Sequence, residues 1–155
     1  MLALKFGGKL ALAPLFGHLL RDALINGRQS ADTLPDLLAP VPLSAERLQQ
    51  RGFNQSLEIA RTLAGLLGID LVPQLAVRIR DTQSQAALPL AERHKNIRHA
   101  FVITPQNTGL VEGRHVGIVD DVMTTGETLQ ELAMTLKRFG AARVTNLVVA
   151  RTMPS

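Results

Sequence analysis

A chain of 155 residues, 46% of them apolar, has material for one ordinary domain with its own core and too little for two. No apolar run approaches the roughly 18 residues of a membrane helix, and the absence of cysteine excludes disulfides, thiolate nucleophiles and cysteine-bound zinc, so a cytoplasmic protein without membrane insertion is expected. The net charge is +4 and thirteen of the seventeen basic residues are Arg, whose planar fork suits phosphate; this favours an anionic ligand or nucleic acid, while five Phe with no Trp or Tyr make a poor base-stacking platform.

In chain order, Lys5 and Lys9 ahead of the run Leu10–Phe16 loosely imitate a secretion signal. Pro14 and a glycine interrupt the run, His18 and Arg21 follow, and no small-x-small cleavage site ends it. The segment is expected to belong to the fold as a helical N-terminal part (1–35), its abrupt start suggesting missing upstream sequence. Residues Leu10 to Ile25 read as a helix started or interrupted by Pro14 and stopped at Asn26-Gly27. Leu37–Pro42 reads as a short buried strand, and a polar, Arg-bearing loop or short helix follows.

From Asn54 to Leu67, the residues Leu57, Ala60, Leu63, Ala64 and Leu67 share one helical face, and Gly68 is suited to end the helix. Leu71–Ile79 predicts a strand. Asp81–Asn96 is polar and predicts a loop with some helix. His115–Val119 is short, apolar and partly β-branched, which predicts a buried strand followed at once by a loop. Leu129, Leu132, Ala133, Leu136 and Phe139 recur at helical spacing up to Gly140, and Val144–Ala150 predicts a closing strand. Strand and helix alternating in this way imply a single α/β domain over 1–155: a mostly parallel twisted sheet with helices on its faces and ligands at the carboxyl ends of its strands.

The loop after Val119 lies at such an end. Asp120 and Asp121 leave a buried strand together, which costs desolvation and mutual repulsion unless hydroxyls, amides or a metal receive them. Behind them, Thr124-Thr125-Gly126-Glu127-Thr128 leads into a helix, and two overlapping capping boxes, Thr124 with Glu127 and Thr128 with Glu131, place the helix start there. A helix N-terminus offers unpaired N–H groups and positive potential, Gly126 lets the backbone curl, and the threonines add donors, which together suit one phosphate. Carboxylates beside such a cradle suit vicinal hydroxyls next to a phosphate, as in ribose 5-phosphate. A phosphoacceptor receiver domain also pairs acids at a strand end, but here the pair comes late and the closing strand has no lysine. His18, His94, His99 and His115 lack metal-ligand spacing, and Gly7-Gly8-Lys9 lacks the rest of a nucleotide-triphosphate loop.

Val116–Thr128 resembles the phosphoribosyl-pyrophosphate motif of type I phosphoribosyltransferases, with Gly117 standing where a large apolar residue is usual, a departure expected to weaken packing rather than chemistry. The resemblance narrows with Pro40-Val41-Pro42-Leu43, Arg47-Leu48, Arg51-Gly52-Phe53-Asn54-Gln55, then Arg78, Arg80, Thr82, Gln85, Leu88, Arg93, Asn96, Ala100-Phe101 and Ala150-Arg151-Thr152, which are similar to the competence protein F family. These 155 residues contain none of the cysteines of the zinc module that commonly precedes this domain in that family. The resemblance implies that Asp120 and Asp121 contact the ribose hydroxyls, that Thr124, Thr125, Gly126, Glu127 and Thr128 hold the 5-phosphate, and that Leu43, Ser44, Arg47 and Arg51 form the pyrophosphate loop. It further implies a mobile hood loop over 81–98, with Arg78, Arg80, Arg93 and Lys95 closing on the ligand, and Mg²⁺ held mainly through the ligand near Asp120 and Asp121. The expected activity is phosphoribosyl transfer from phosphoribosyl pyrophosphate to an acceptor that the sequence does not name, with no general base assignable. The alternative is a non-catalytic ligand-sensing accessory in DNA uptake, with single-stranded DNA or the uptake machinery as partner.

Overall fold

The computed structural model describes residues 2–27, 34–79, 99–123 and 126–151, with the backbone alone for 2–10. Helix α1 spans Leu2–Gly27, followed by β1 (Leu37–Pro40), α2 (Ala45–Arg51), α3 (Gln55–Leu67), β2 (Asp70–Leu71) and β3 (Ala76–Arg78). After these come β4 (Phe101–Ile103), a 3₁₀ turn at Pro105–Asn107, α4 (Thr108–Val111), β5 (His115–Met123), α5 (Glu127–Arg138) and β6 (Arg143–Arg151).

Four strands form a parallel sheet in the order β2-β1-β5-β6, and β3 with β4 forms a separate antiparallel pair. The period-two alternation of the buried strands divides the core between the two faces of the sheet. Leu38, Val119 and Leu147 pack with Ala13 and Leu20 of α1 and Ile59, Ala60 and Leu63 of α3. Leu37, Ala39, Val116 and Ile118 pack with Leu129, Leu132 and Leu136 of α5 and with Phe101 and Ile103 of β4. The three α5 leucines are fully buried, each worth about 1.5–3 kcal/mol of burial, and this attachment fixes the helix whose N-terminus faces the strand ends.

The expected parallel α/β architecture is present, with four local differences. First, α1 runs straight through Pro14 and is longer than Leu10–Ile25. A proline removes one helical hydrogen bond, and tertiary packing offsets that loss: Gly17 lies so close to α3 that a Cβ there would come within 2.6 Å of the Thr62 side chain. Second, Leu71–Ile79 is two strands in different sheets. Val72 still donates to Leu38 O at 2.9 Å, the chain turns at Pro73, and Leu75 donates back to Val72 O at 3.3 Å, because proline has no N–H with which to continue the ladder. Third, the partner strand β4 carries too short an apolar signal to have been predicted.

The fourth difference concerns Gly117, which reads from the sequence as a loss of packing. A Cβ at this position would lie 2.7 Å from Leu38 Cδ2 and 2.9 Å from Pro35 Cγ, so the missing side chain lets β1 and the segment before it close over β5. The sheet is tighter there, not looser.

Candidate functional site

The carboxyl ends of β1 and β5 face the N-termini of α3 and α5 across a cleft of about 360 Å³. Its lining brings together Leu43, Arg47, Arg51, Asn54, Gln55, Ser56, Arg78, Asp120, Asp121, Met123, Gly126, Glu127 and Thr128. Residues between 43 and 128, widely separated in the chain, thus meet at one place because the parallel sheet puts all its strand ends on the same side.

On the β1 side, Ser44 is buried and caps α2, its hydroxyl accepting from Arg47 N–H at 3.2 Å. Of the four residues expected in a pyrophosphate loop, Leu43, Arg47 and Arg51 line the cleft, while Ser44 holds the helix that carries the two arginines. Gly52 ends α2 in the left-handed region, at φ 79°, which turns the chain directly into α3. Asn54 caps α3 by accepting from Ser56 N–H at 3.1 Å, and its amide nitrogen donates to Val41 O at 3.0 Å. One side chain therefore fixes α3 to the end of β1.

On the β5 side, the strand does not end at Val119. It continues pairing with β6 through Asp120↔Val148, Val122↔Ala150 and Met123↔Arg151, so the acidic pair lies on strand backbone and is held more rigidly than a loop would hold it. Asp120 Oδ1 accepts from Ser56 Oγ at 3.0 Å and from Asp121 N–H at 2.9 Å, and Asp121 Oδ1 accepts from Val122 N–H at 2.8 Å. Burial, and then the neighbouring Asp121 charge, push the Asp120 carboxyl up from its ordinary 3.8 to about 7, against the lowering effect of the Ser56 hydroxyl and the Asp121 amide. A cation or hydroxyl donors arriving in the cleft would relieve this repulsion.

Helix α5 begins at Glu127 behind Gly126, which adopts φ 82° and supplies no side-chain cap. Of the two capping boxes expected from the sequence, the first rests on Thr124, which lies outside the described residues, and the second, Thr128 with Glu131, does not form. Glu127 and Thr128 already lie within the first turn, and Glu131 accepts from His99 N–H at 2.9 Å and from Arg138 at 3.3 Å. With no side chain on the N-cap, the N-terminal dipole of a twelve-residue helix is left to face the cleft. Thr124 and Thr125 of the expected phosphate cradle lie outside the described residues, as do Arg80, Arg93, Lys95 and the whole 81–98 hood segment.

Arg78, expected in the hood, does line the cleft, and its guanidinium lies 5.4 Å from the centroid of the Phe101 ring, a cation–π contact that aims it from the antiparallel pair. Sequence reasoning assigned no site role to Asn54, Gln55 or Ser56. Their signal was the run Arg51-Gly52-Phe53-Asn54-Gln55-Ser56, where a helix cap directly follows an arginine-bearing turn.

The model of the phosphoribosyl transferase domain family matches residues 54–153. The DNA utilization protein YhgH of Salmonella typhi is 38% identical over 151 residues, covering 97% of this chain and 65% of that protein. Competence protein F of Haemophilus influenzae is 32% identical over 111 residues, covering 72% of this chain and 48% of its own length. The chain thus spans about two thirds or less of these relatives. Among solved structures, the glutamine phosphoribosylpyrophosphate amidotransferase of B. subtilis, complexed with ADP and GMP, superposes with a TM-score of 0.58 at 20% identity, over 90% of this chain and 26% of that one; this likeness concerns the fold.

Proposed function

This chain belongs to the phosphoribosyl transferase domain family and, within it, to the competence protein F group, and on that premise we propose that its cleft binds phosphoribosyl pyrophosphate together with Mg²⁺ and transfers the phosphoribosyl group to an acceptor. The observation that carries this reading is the meeting of the Asp120–Asp121 pair, the Gly126 turn at the start of α5, and Arg47, Arg51 and Arg78 in one cleft. Carboxylates accept the ribose hydroxyls, the helix N-terminus takes the 5-phosphate, and the guanidiniums face the pyrophosphate.

The donor set suits magnesium, because the Asp120 carboxyl, its proton affinity raised by burial and by the neighbouring Asp121 charge, gains from a divalent neighbour, and Mg²⁺ is commonly held by one or two carboxylates plus substrate phosphates. When bound, the ion would offset charge developing on the departing pyrophosphate. The protein's own part is positional. The arginines on α2 and β3 stabilise the leaving charge, the acids orient the sugar, and the β-strand backbone keeps both in place while the anomeric carbon takes on oxocarbenium character.

Calorimetric titration of the protein with phosphoribosyl pyrophosphate, with and without Mg²⁺, tests the reading. One saturable site that weakens when Mg²⁺ is withdrawn is expected. No binding, or binding indifferent to Mg²⁺, would overturn it.

A second reading keeps the ligand and omits turnover, making the protein a ligand-sensing accessory in DNA handling. The names of the relatives, a DNA utilization protein and a competence protein, favour it. Salt-dependent binding of single-stranded DNA through arginines outside the cleft, without release of pyrophosphate, would select it over the first.

A further inference from the structure

We infer that Ser56, in the first turn of α3, is a positioning residue that sets which oxygen of Asp120 meets the ligand, and thereby makes the cleft discriminate ribose from deoxyribose phosphates. The inference rests on the cleft being a ribose-phosphate site.

Ser56 is buried, yet its hydroxyl does none of the work usual for a serine at a helix start. Asn54 already caps α3 by accepting the Ser56 N–H, so the hydroxyl is released from local capping and reaches across to Asp120 on β5. Among the described residues, both donors to this carboxylate, Ser56 Oγ and Asp121 N–H, bond the same oxygen, Oδ1. Two donors on one oxygen fix the plane of the carboxylate and leave Oδ2 for a ligand hydroxyl.

Asn54 meanwhile ties the same turn to Val41 at the end of β1. The span Asn54–Ser56 therefore fastens α3 to both β1 and β5, and the carboxylate is oriented against a helix that is itself anchored. Without the Ser56 hydroxyl, Asp120 would keep only its chain neighbour Asp121, through amide and side chain, and nothing would tie it to α3, so it could rotate about its side-chain bonds. A carboxylate that rotates still attracts cations but no longer selects a hydroxyl at a fixed position.

The test compares Ser56→Ala, Ser56→Thr and wild type for Mg²⁺-supported binding of ribose 5-phosphate, 2-deoxyribose 5-phosphate and 3-deoxyribose 5-phosphate, with thermal melting to verify folding. Wild type is expected to prefer ribose 5-phosphate over at least one deoxy sugar by about tenfold, the size of one charge-assisted hydrogen bond. Ser56→Ala should bring that preference to within about twofold, and Ser56→Thr, which keeps the hydroxyl, should restore it. A Ser56→Ala protein that retains the full preference, or that weakens all three sugars equally, would overturn the inference while leaving the ribose-phosphate reading intact. A wild type that binds none of the sugars, or binds all three alike, would overturn both.

Discussion

At the start of β5, His115 is buried with its polar atoms matched: its backbone N–H donates to Asp36 Oδ2 at 2.9 Å and its ring Nε2 lies 2.7 Å from the Thr145 hydroxyl. Two residues on, Gly117 closes against Leu38 and Pro35. At the other end of the same strand, Asp120 and Asp121 lie side by side, with burial and mutual repulsion raising the Asp120 carboxyl to about 7. One end of β5 is optimised for cohesion, and the other holds charge that the fold alone leaves poorly satisfied. Residues that serve packing and residues proposed to meet a ligand thus differ on one strand in whether their interactions are complete within the chain.

Neutralising the acidic end should give the largest effect. Asp120→Asn with Asp121→Asn is expected to weaken Mg²⁺-dependent binding of phosphoribosyl pyrophosphate by more than about a hundredfold, roughly 2.8 kcal/mol, while circular dichroism shows a folded protein. A double variant that binds like wild type would place the site elsewhere.

Breaking the cohesive end comes next. Gly117→Val should cost about 1–3 kcal/mol in denaturant unfolding, because the new side chain meets Leu38 and Pro35 in a packed layer. Ligand affinity of the folded fraction should stay within about twofold. A variant as stable as wild type would mean that β1 can move aside.

The same comparison has a pH signature. In the folded chain Asp120 holds its proton up to about pH 7, whereas an unfolded aspartate releases it near 3.8, so the folded state binds more protons in that window. Stability contributed by this group is therefore lost as pH rises from about 4 to 7, and the loss is complete above. Asp120→Asn should accordingly be more stable than wild type at pH 8, by on the order of 1–2 kcal/mol, and the gap should shrink towards pH 4. Chemical denaturation of the ligand-free proteins at both pH values checks this, and a gap that widens on acidification would reverse the assignment.

The smallest effect is expected from Thr145→Val, which removes the partner of the His115 ring. A loss of about 0.5–1.5 kcal/mol with unchanged ligand binding would show that this end of the strand contributes stability alone.

Much of the lining of the candidate cleft was legible in the sequence because it is written in short runs: an apolar strand, an acidic pair, a glycine and a helix start over Val116–Thr128, and arginines one turn apart at Arg47 and Arg51. Such runs imply their own local geometry. The helix start was legible and its cap was not, since Thr124 with Glu127 satisfies the capping-box pattern while Gly126 takes the N-cap position in the left-handed region. Glu131 fitted the second box, yet its carboxylate is engaged by His99 N–H and Arg138. For Glu131 a tertiary partner, the His99 N–H, outcompeted a weak local motif.

By itself the sequence determined the alternation of strands and helices, the sheet it implies, and the chemistry of the residues at the end of β5, because hydrophobic period and residue type act over a few positions. Only the tertiary structure decided that Leu71–Ile79 divides between two sheets, that Gly117 tightens the core, that Arg78 is aimed by Phe101, and that Ser56 meets Asp120 across 64 positions of chain. Those outcomes depend on close approach between distant segments, to which periodicity is blind: a glycine packed so closely that an added Cβ would meet Leu38 at 2.7 Å, or a hydroxyl released by its neighbour's cap, exists only once the chain has packed.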